Sequence, residues 1–410
     1  MSRPPNILWI VTTQWRAQAF GHAGDANATT PAMDRLSAAG VNFTQAVTPH
    51  PFGPFARAAL LTGTPSPDNG VRDYFDPLPA GTGTIAHDLS HRGYATAFFG
   101  KWHLSARDPG SPLVGEAHAK STVPPGERGG FEFWEGFESG FLLNDPWLHG
   151  TRIPEPTRFG GYQSDVLALR AAEWIGGLGG AMPWFCVVSL EPPHPPYDAP
   201  ASGCAGPGPG DIVLRDNVPR GDGVEERARS ELSGYYAHIA ATDRAVGLLV
   251  DRVMDDAVVV FTSAHGDMHG AHGLFRKGWP HEESVRVPLL VRTPGGCCLL
   301  EGRPASDATA VSLVDLRALA VAAADGRRWD LRRDFARISM PSVVRQPLQC
   351  DRIWSGLRAP GRKLVLNADG TPWLFFDLAA DPGETRNLAT DPSRAGEIRD
   401  LAALTPKDRH

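Results

Sequence analysis

The sequence predicts an α/β protein: a mixed sheet flanked by helices, with a small C-terminal α+β lobe. Three observations in the residues point to that class. Apolar runs of strand length alternate with amphipathic stretches of helix length through most of the chain. Four of those runs end in polar clusters, Thr12–Gln14, Gly100–His103, Glu191–Tyr197 and Ser263–His272. Ligands of open α/β sheets bind beyond the carboxyl ends of strands, so these clusters predict one shared pocket. Composition then shifts near Arg327–Arg337, which predicts a main domain over residues 1–335 and a subdomain over 336–410.

The elements follow in order. Asn6–Val11 is a short apolar run and reads as the first buried strand. A helix opens at Thr30-Pro31, with Thr as N-cap and Pro at the first position, and ends at Gly40. Strand Val41–Ala46 feeds a stretch on which the rest of the chain converges, Val47 to Gly63. That stretch reads as a Pro-rich loop that becomes helical over Arg57–Thr62 and stops at Gly63. Helix Thr84–Arg92 and strand Ala95–Phe99 lead into Gly100-Lys-Trp-His103. Residues 105–161 are rich in Gly, Pro and aromatics with weak periodicity, and read as a long insertion over a pocket. Helix Ser164–Gly176, strand Trp184–Leu190, a surface loop over 201–223 and a long helix of about 225–253 come next. Strand Ala257–Thr262, strand Val287–Val291 and helix Val311–Ala323 close the main sheet. Beyond the shift, Arg352–Leu357, Lys363–Asn367 and Trp373–Leu378 look like antiparallel strands, followed by a terminal helix.

The 410 residues can build a large core, and 42% hydrophobic with 21% charged residues is ordinary for a globular chain. A net charge of −6 gives no footprint for nucleic acid or an anionic membrane. No stretch has the apolar length of a membrane span. Asn6–Val11 lacks a small-residue cleavage site, so no secretion is expected. Five cysteines without framework spacing fit a reduced, cytoplasmic setting.

The stretch around Gly53 resembles the signature of the type I sulfatases, formylglycine-dependent enzymes of the alkaline phosphatase superfamily. Arg57 and the tail Ala58 to Gly63 match that signature, while Gly53 stands at its Cys position and Phe55 at its Pro position. Further motifs similar to the family's are Thr30-Pro-Ala-Met-Asp-Arg-Leu36, Gly100-Lys-Trp-His-Leu104 and Pro193-His-Pro-Pro-Tyr197. Gly266-Asp-Met268, Lys277-Gly278 and the tail from Phe376 to Leu388 continue the pattern. The resemblance implies a Ca²⁺ or Mg²⁺ site held by oxygen ligands. At the matching positions stand Thr13-Gln14 and Ala264-His265, so the acidic ligands are replaced along with the nucleophile. The expectation is a member with no metal, no other cofactor and no covalent relay.

The resemblance also assigns Arg57, Lys101, His103, His194 and Lys277 to the surround of the anionic group, and these are present. With the carboxylates gone the pocket is expected to be cationic, seating an anionic small-molecule substrate on Arg57, Lys101, Lys277, Gln14 and Gly53. His103, His194, His265, His269 and His50 are the candidates for general acid/base work, because imidazole exchanges protons near neutral pH. Arg57 reads equally as a structural anchor, and His265 as a satisfied core imidazole. His22 reads as a loop residue and His272 as a structural remnant. Thr12 and Thr13 offer hydroxyls without a visible base. The spacing of His265, His269 and His272 allows a Zn²⁺ site. Three functions stay open: a repurposed metal-independent enzyme, an inactive pseudosulfatase that binds or scaffolds, and residual hydrolysis of sulfate or phosphate esters. A homo-oligomer is allowed, with no nucleic-acid or membrane partner.

Overall fold

The first strand, Asn6–Thr12, sits at the centre of a ten-stranded mixed sheet. Its apolar residues alternate between two core layers. Ile7, Trp9 and Val11 pack on one face, and Leu8 and Ile10 on the other, all at most 1% exposed. A strand buried on both faces needs a continuous apolar run, and that run is what made it visible. Residues 3–405 are described in this computed structural model. The outermost ends of the two expected domains, residues 1–2 and 406–410, lie outside them.

Across the sheet the strands run Ser306–Asp307, Val41–Phe43, Leu289–Arg292, Ala257–Ser263, Asn6–Thr12, Trp184–Ser189, Ala95–Lys101, Phe133–Phe137, Trp147–Gly150 and Thr157–Arg158. The central ones from Ala257–Ser263 through Phe133–Phe137 run parallel to one another, so their carboxyl ends share one edge. Leu289–Arg292 runs antiparallel beside them. The helices Gln163–Gly177 and Val224–Val253 pack on each other and cover the Leu8 face. A four-stranded antiparallel sheet, Ala336–Met340, Trp354–Ala359, Arg362–Asn367 and Pro372–Asp377, forms the small lobe with the helix Ala395–Leu404. Its residues Ile338, Trp354, Val365 and Phe376 belong to the same buried cluster as Trp9 and Phe185. No helix among the described residues is long and apolar enough to cross a membrane.

Several expected bounds move, each for a physical reason. The stretch after Val47 becomes helical at Gly53, four residues before Arg57, because Pro54 near the helix start has no N–H to leave unsatisfied. Gly63 ends that helix in a left-handed conformation, φ 68°. Residues 105–161 are not wholly a covering loop: Phe133–Phe137 and Trp147–Gly150 extend the main sheet. Glycine makes this pairing possible, since a Cβ on Gly136 would meet the Gly100 carbonyl oxygen. Val41–Ala46 divides into Val41–Phe43 and Ala46–Val47, the latter pairing with Val311–Ser312. The helix expected from Val311 therefore starts at Leu316.

Candidate active site

Lys101 ends one of four adjacent parallel strands and Thr13, Glu191 and His265 follow the other three, so the sheet delivers them to one place. The helix Gly53–Thr62 adds its buried N-terminal turn, a positive dipole end. Between them lies a cavity lined by Thr13, Phe52, Gly53, Tyr74, Lys101, His103, Phe141, His194, His265, Lys277 and Gln346. The space open to the centre of a water molecule is about 10 Å³, room for about one water.

Two lysines line it, and Arg57 stands behind Gly53. The Lys101 Nζ donates to Glu191 Oε1 at 2.7 Å and lies 4.3 Å from the centre of the Phe141 ring. Glu191 also accepts from Gln163 Nε2 and the Phe141 N–H, so its charge is fully engaged. Burial draws Lys101 down to about 8, against the pull of Glu191. Lys277 Nζ donates to Gln14 Oε1 at 2.5 Å and His194 Nε2 at 2.8 Å. Its burial, with Lys101 nearby, holds the amine well below its ordinary range. Arg57 Nη2 donates to Thr13 Oγ1 at 2.7 Å, and its Nη1 is buried with no partner among the described residues. Burial lowers the guanidinium to about 10.

The hydrogen bonds fix two histidine tautomers. A carbonyl oxygen only accepts, so His194 Nδ1, 2.7 Å from Pro195 O, and His265 Nδ1, 2.9 Å from Gly266 O, carry the protons. Nε2 of each ring is then a lone pair. In His194 it accepts from Lys277; in His265 it has no partner among the described residues. His103 has both ring nitrogens buried and unpartnered, in a left-handed backbone conformation of φ 59°. Burial first, then the neighbouring cations, push all three imidazoles well below 6.5, so they are neutral at pH 7.

Two of the expected histidines are elsewhere. His50 accepts from the Ser66 N–H through Nε2 at 2.8 Å and faces Ser339 through Nδ1, which makes it a buried loop anchor. His269 is wedged against Tyr235 and Tyr197, with ring centres 4.2 and 5.2 Å away. Gln14 stands one layer behind the cavity, joining Lys277 to Asp267. The three histidines of the Zn²⁺ spacing do not converge: His272 stacks on His281 at 4.4 Å and adjoins Glu283 and Glu384. His22 pairs with Asp34. Glu191, Asp267, Phe141, Tyr74 and Gln346 were missed by the sequence reading. Glu191 and Asp267 carried a signal, since both lie in the polar clusters at strand ends, while Phe141, Tyr74 and Gln346 carried none.

The donor set does not suit Ca²⁺ or Mg²⁺, which want carboxylate oxygens. No Asp or Glu lines the cavity, and the ammonium of Lys277 occupies Gln14 Oε1. Asp267 is committed to Tyr197, Gln14 and the backbone N–H groups of His269 and Arg276. Burial would raise its carboxyl, but His269, Arg276 and the Tyr197 hydroxyl hold it below its ordinary range.

The model of the sulfatase family matches residues 5–325. The chain belongs to the sulfatase family. Its relatives include the "Ulvan-active sulfatase" of Formosa agariphila, 36% identical over 304 residues. That match covers 71% of this chain but 56% of the relative, so the chain spans just over half of that protein's length. The "Choline-sulfatase" of Rhizobium meliloti is 28% identical over 448 residues, covering 98% of this chain and 85% of the relative. Among solved structures, a Bacteroides fragilis protein superposes with a TM-score of 0.82 at 24% identity, covering 98% of this chain and 94% of the other. The phosphonate monoester hydrolase of Agrobacterium radiobacter gives 0.73 at 22%, with 98% and 94% covered. The last two likenesses speak for the sulfatase fold alone.

Proposed function

We propose that this sulfatase-family chain is an acid–base enzyme that seats the oxyanion of a small molecule at Gly53, without formylglycine and without a hard divalent ion. One observation carries the reading. Both nitrogens of His103 and Nε2 of His265 are buried without partners in the lining of a single cavity, and Arg57 Nη1, equally unpartnered among the described residues, stands behind it, 3.5 Å from where a Cβ on Gly53 would be. Unpaired buried polar atoms cost free energy unless a ligand completes them, and preorganised donors beside cations complement an oxyanion. Arg57 and Lys101 hold the charge, and Lys277 is the proton donor when charged. His265 is the general base, because its outward nitrogen is a lone pair. The five cysteines are unpaired, which supports a reducing, cytoplasmic setting.

Thermal unfolding with added sulfate or phosphate tests the binding half. Both anions should raise the midpoint of the wild type, Lys277→Met should cut that gain, and EDTA should leave it unchanged. Micromolar, stoichiometric Ca²⁺ or Mg²⁺ binding at the cavity would sink the metal-free reading. The chemical half requires that His265→Gln abolish turnover of the substrate and keep anion stabilisation. The one-water cavity favours a second reading, a binding protein without turnover. Aryl sulfate or phosphonate monoester cleavage that depends on Lys101 would instead restore ester hydrolysis.

A further inference from the structure

A second cavity, of about 580 Å³, shares no lining residue with the first. Its volume lies within the range of small-molecule sites, ~300–1,000 Å³. It is bounded by the turn Arg16–Gln18 after the first strand, the segment 213–215, the strand at Asn42 and the segment that starts at Arg286.

Its lining concentrates buried polar atoms that have no hydrogen-bond partner among the described residues. They are Nε of Arg16, Arg215 and Arg286, and both ends of the Gln18 amide. Gln18 is 8% exposed. Arg215 and Arg286 do have carboxylates behind them, Glu283 at 3.3 Å and Glu282 at 3.1 Å, but neither pair has hydrogen-bond alignment. Glu282 is also claimed by Arg358 and by Lys363, each at 2.8 Å. Lys363 is shared with Glu384 at 2.6 Å, so two carboxylates face the three cations Arg286, Arg358 and Lys363, and Arg286 is the one of these that lines the cavity. Arg16 donates to the Tyr236 hydroxyl, which in turn donates to Asp25, the one acidic residue in the lining. On the cavity side three guanidinium groups face a single carboxylate, Asp25, which is already hydrogen-bonded, while Glu282 and Glu283 stand behind two of them. The N–H groups left unaligned with these carboxylates suit an anion.

We propose that this cavity is a second binding site, for a polar small molecule that carries a phosphate, sulfate or carboxylate group. The guanidinium N–H groups of Arg16, Arg215 and Arg286 take the oxyanion. The Gln18 amide, offering both a donor and an acceptor, takes an adjoining hydroxyl or amide. The proposal is independent of the chemistry assigned to the Gly53 cavity.

Calorimetric titration of the full chain with inorganic phosphate, sulfate and malonate tests it, and the anion that binds identifies the group. Two variants address this cavity. Arg286→Gln removes a charge, and Ser306→Trp fills the space from an exposed rim position. Lys277→Met addresses the other cavity. The expected result is binding of at least one anion that persists in Lys277→Met, weakens about tenfold in Arg286→Gln and disappears in Ser306→Trp. Binding that survives Ser306→Trp, or no binding of any of the three anions by the wild type, overturns the proposal. Loss of binding in Lys277→Met alone would support the Gly53 cavity and reject this one.

Discussion

Gly53→Ala gives the sharpest prediction. At the first position of a helix, alanine is ordinarily the better residue, by about 0.5–1 kcal/mol relative to glycine. Here a Cβ would stand 2.7 Å from His103 Nδ1 and 3.0 Å from its Cε1, closer than side chains tolerate. The His103 ring has little freedom to retreat. It is 3% exposed, packs edge-on to Tyr74 with ring centres 5.6 Å apart, and its backbone N–H is tied to Glu138 O at 2.9 Å. Overpacking of a tight site costs about 1–3 kcal/mol, which exceeds the helical gain, so the substitution should be net destabilising. In a double-mutant cycle, His103→Ala should relieve the clash and give a coupling of at least ~1 kcal/mol. Urea unfolding followed by tryptophan fluorescence measures both quantities. A Gly53→Ala protein as stable as the wild type, with no coupling to His103, would refute the packing argument.

The remaining predictions concern charge and the displaced histidines. Lys101→Met should cost about 3–5 kcal/mol by stranding the buried Glu191 carboxylate, and Glu191→Gln in the same chain should recover most of it in the same unfolding assay. His50→Ala should cost about 1–3 kcal/mol, because the buried Ser66 N–H loses its acceptor, and should leave anion stabilisation at the Gly53 cavity intact. Burial lowers His50 and His269 to about 4, against 6.5 for a free imidazole. Between those values the unfolded chain binds more protons than the native one, so the stability present above pH 6.5 is lost as pH falls towards 4. A flat profile of urea midpoints across that window would contradict the burial of these rings.

The central sheet was readable because its strands are apolar on both faces, as in Asn6–Thr12 and Ala257–Ser263. The strand Phe133–Phe137 was not, because its fit depends on Gly136 meeting the Gly100 carbonyl, a contact with no periodic signature. The site divides in the same way. Lys101, His103, His194 and His265 sit at or shortly beyond strand ends, Lys277 sits in a motif, and the structure brings them to one cavity. His50 looks the same in sequence, yet its nitrogens serve the backbone of a loop, a role decided by Ser66 and by the distant Ser339. Tyr74 and Gln346 reach the cavity from loops far apart in the chain, so nothing local marks them.

The one-water size of the Gly53 cavity has a kinetic consequence. A sulfate or phosphate group cannot enter until a wall formed by Phe52, Tyr74, Phe141 or Gln346 moves. Association is then gated, and the observed rate should level off with ligand concentration at the opening rate of that wall. It should fall below the ~10⁵–10⁷ M⁻¹s⁻¹ typical of ungated docking of specific surfaces. The larger cavity at Arg16 and Arg286 has no such plug, so the two sites differ in tempo as well as in residues.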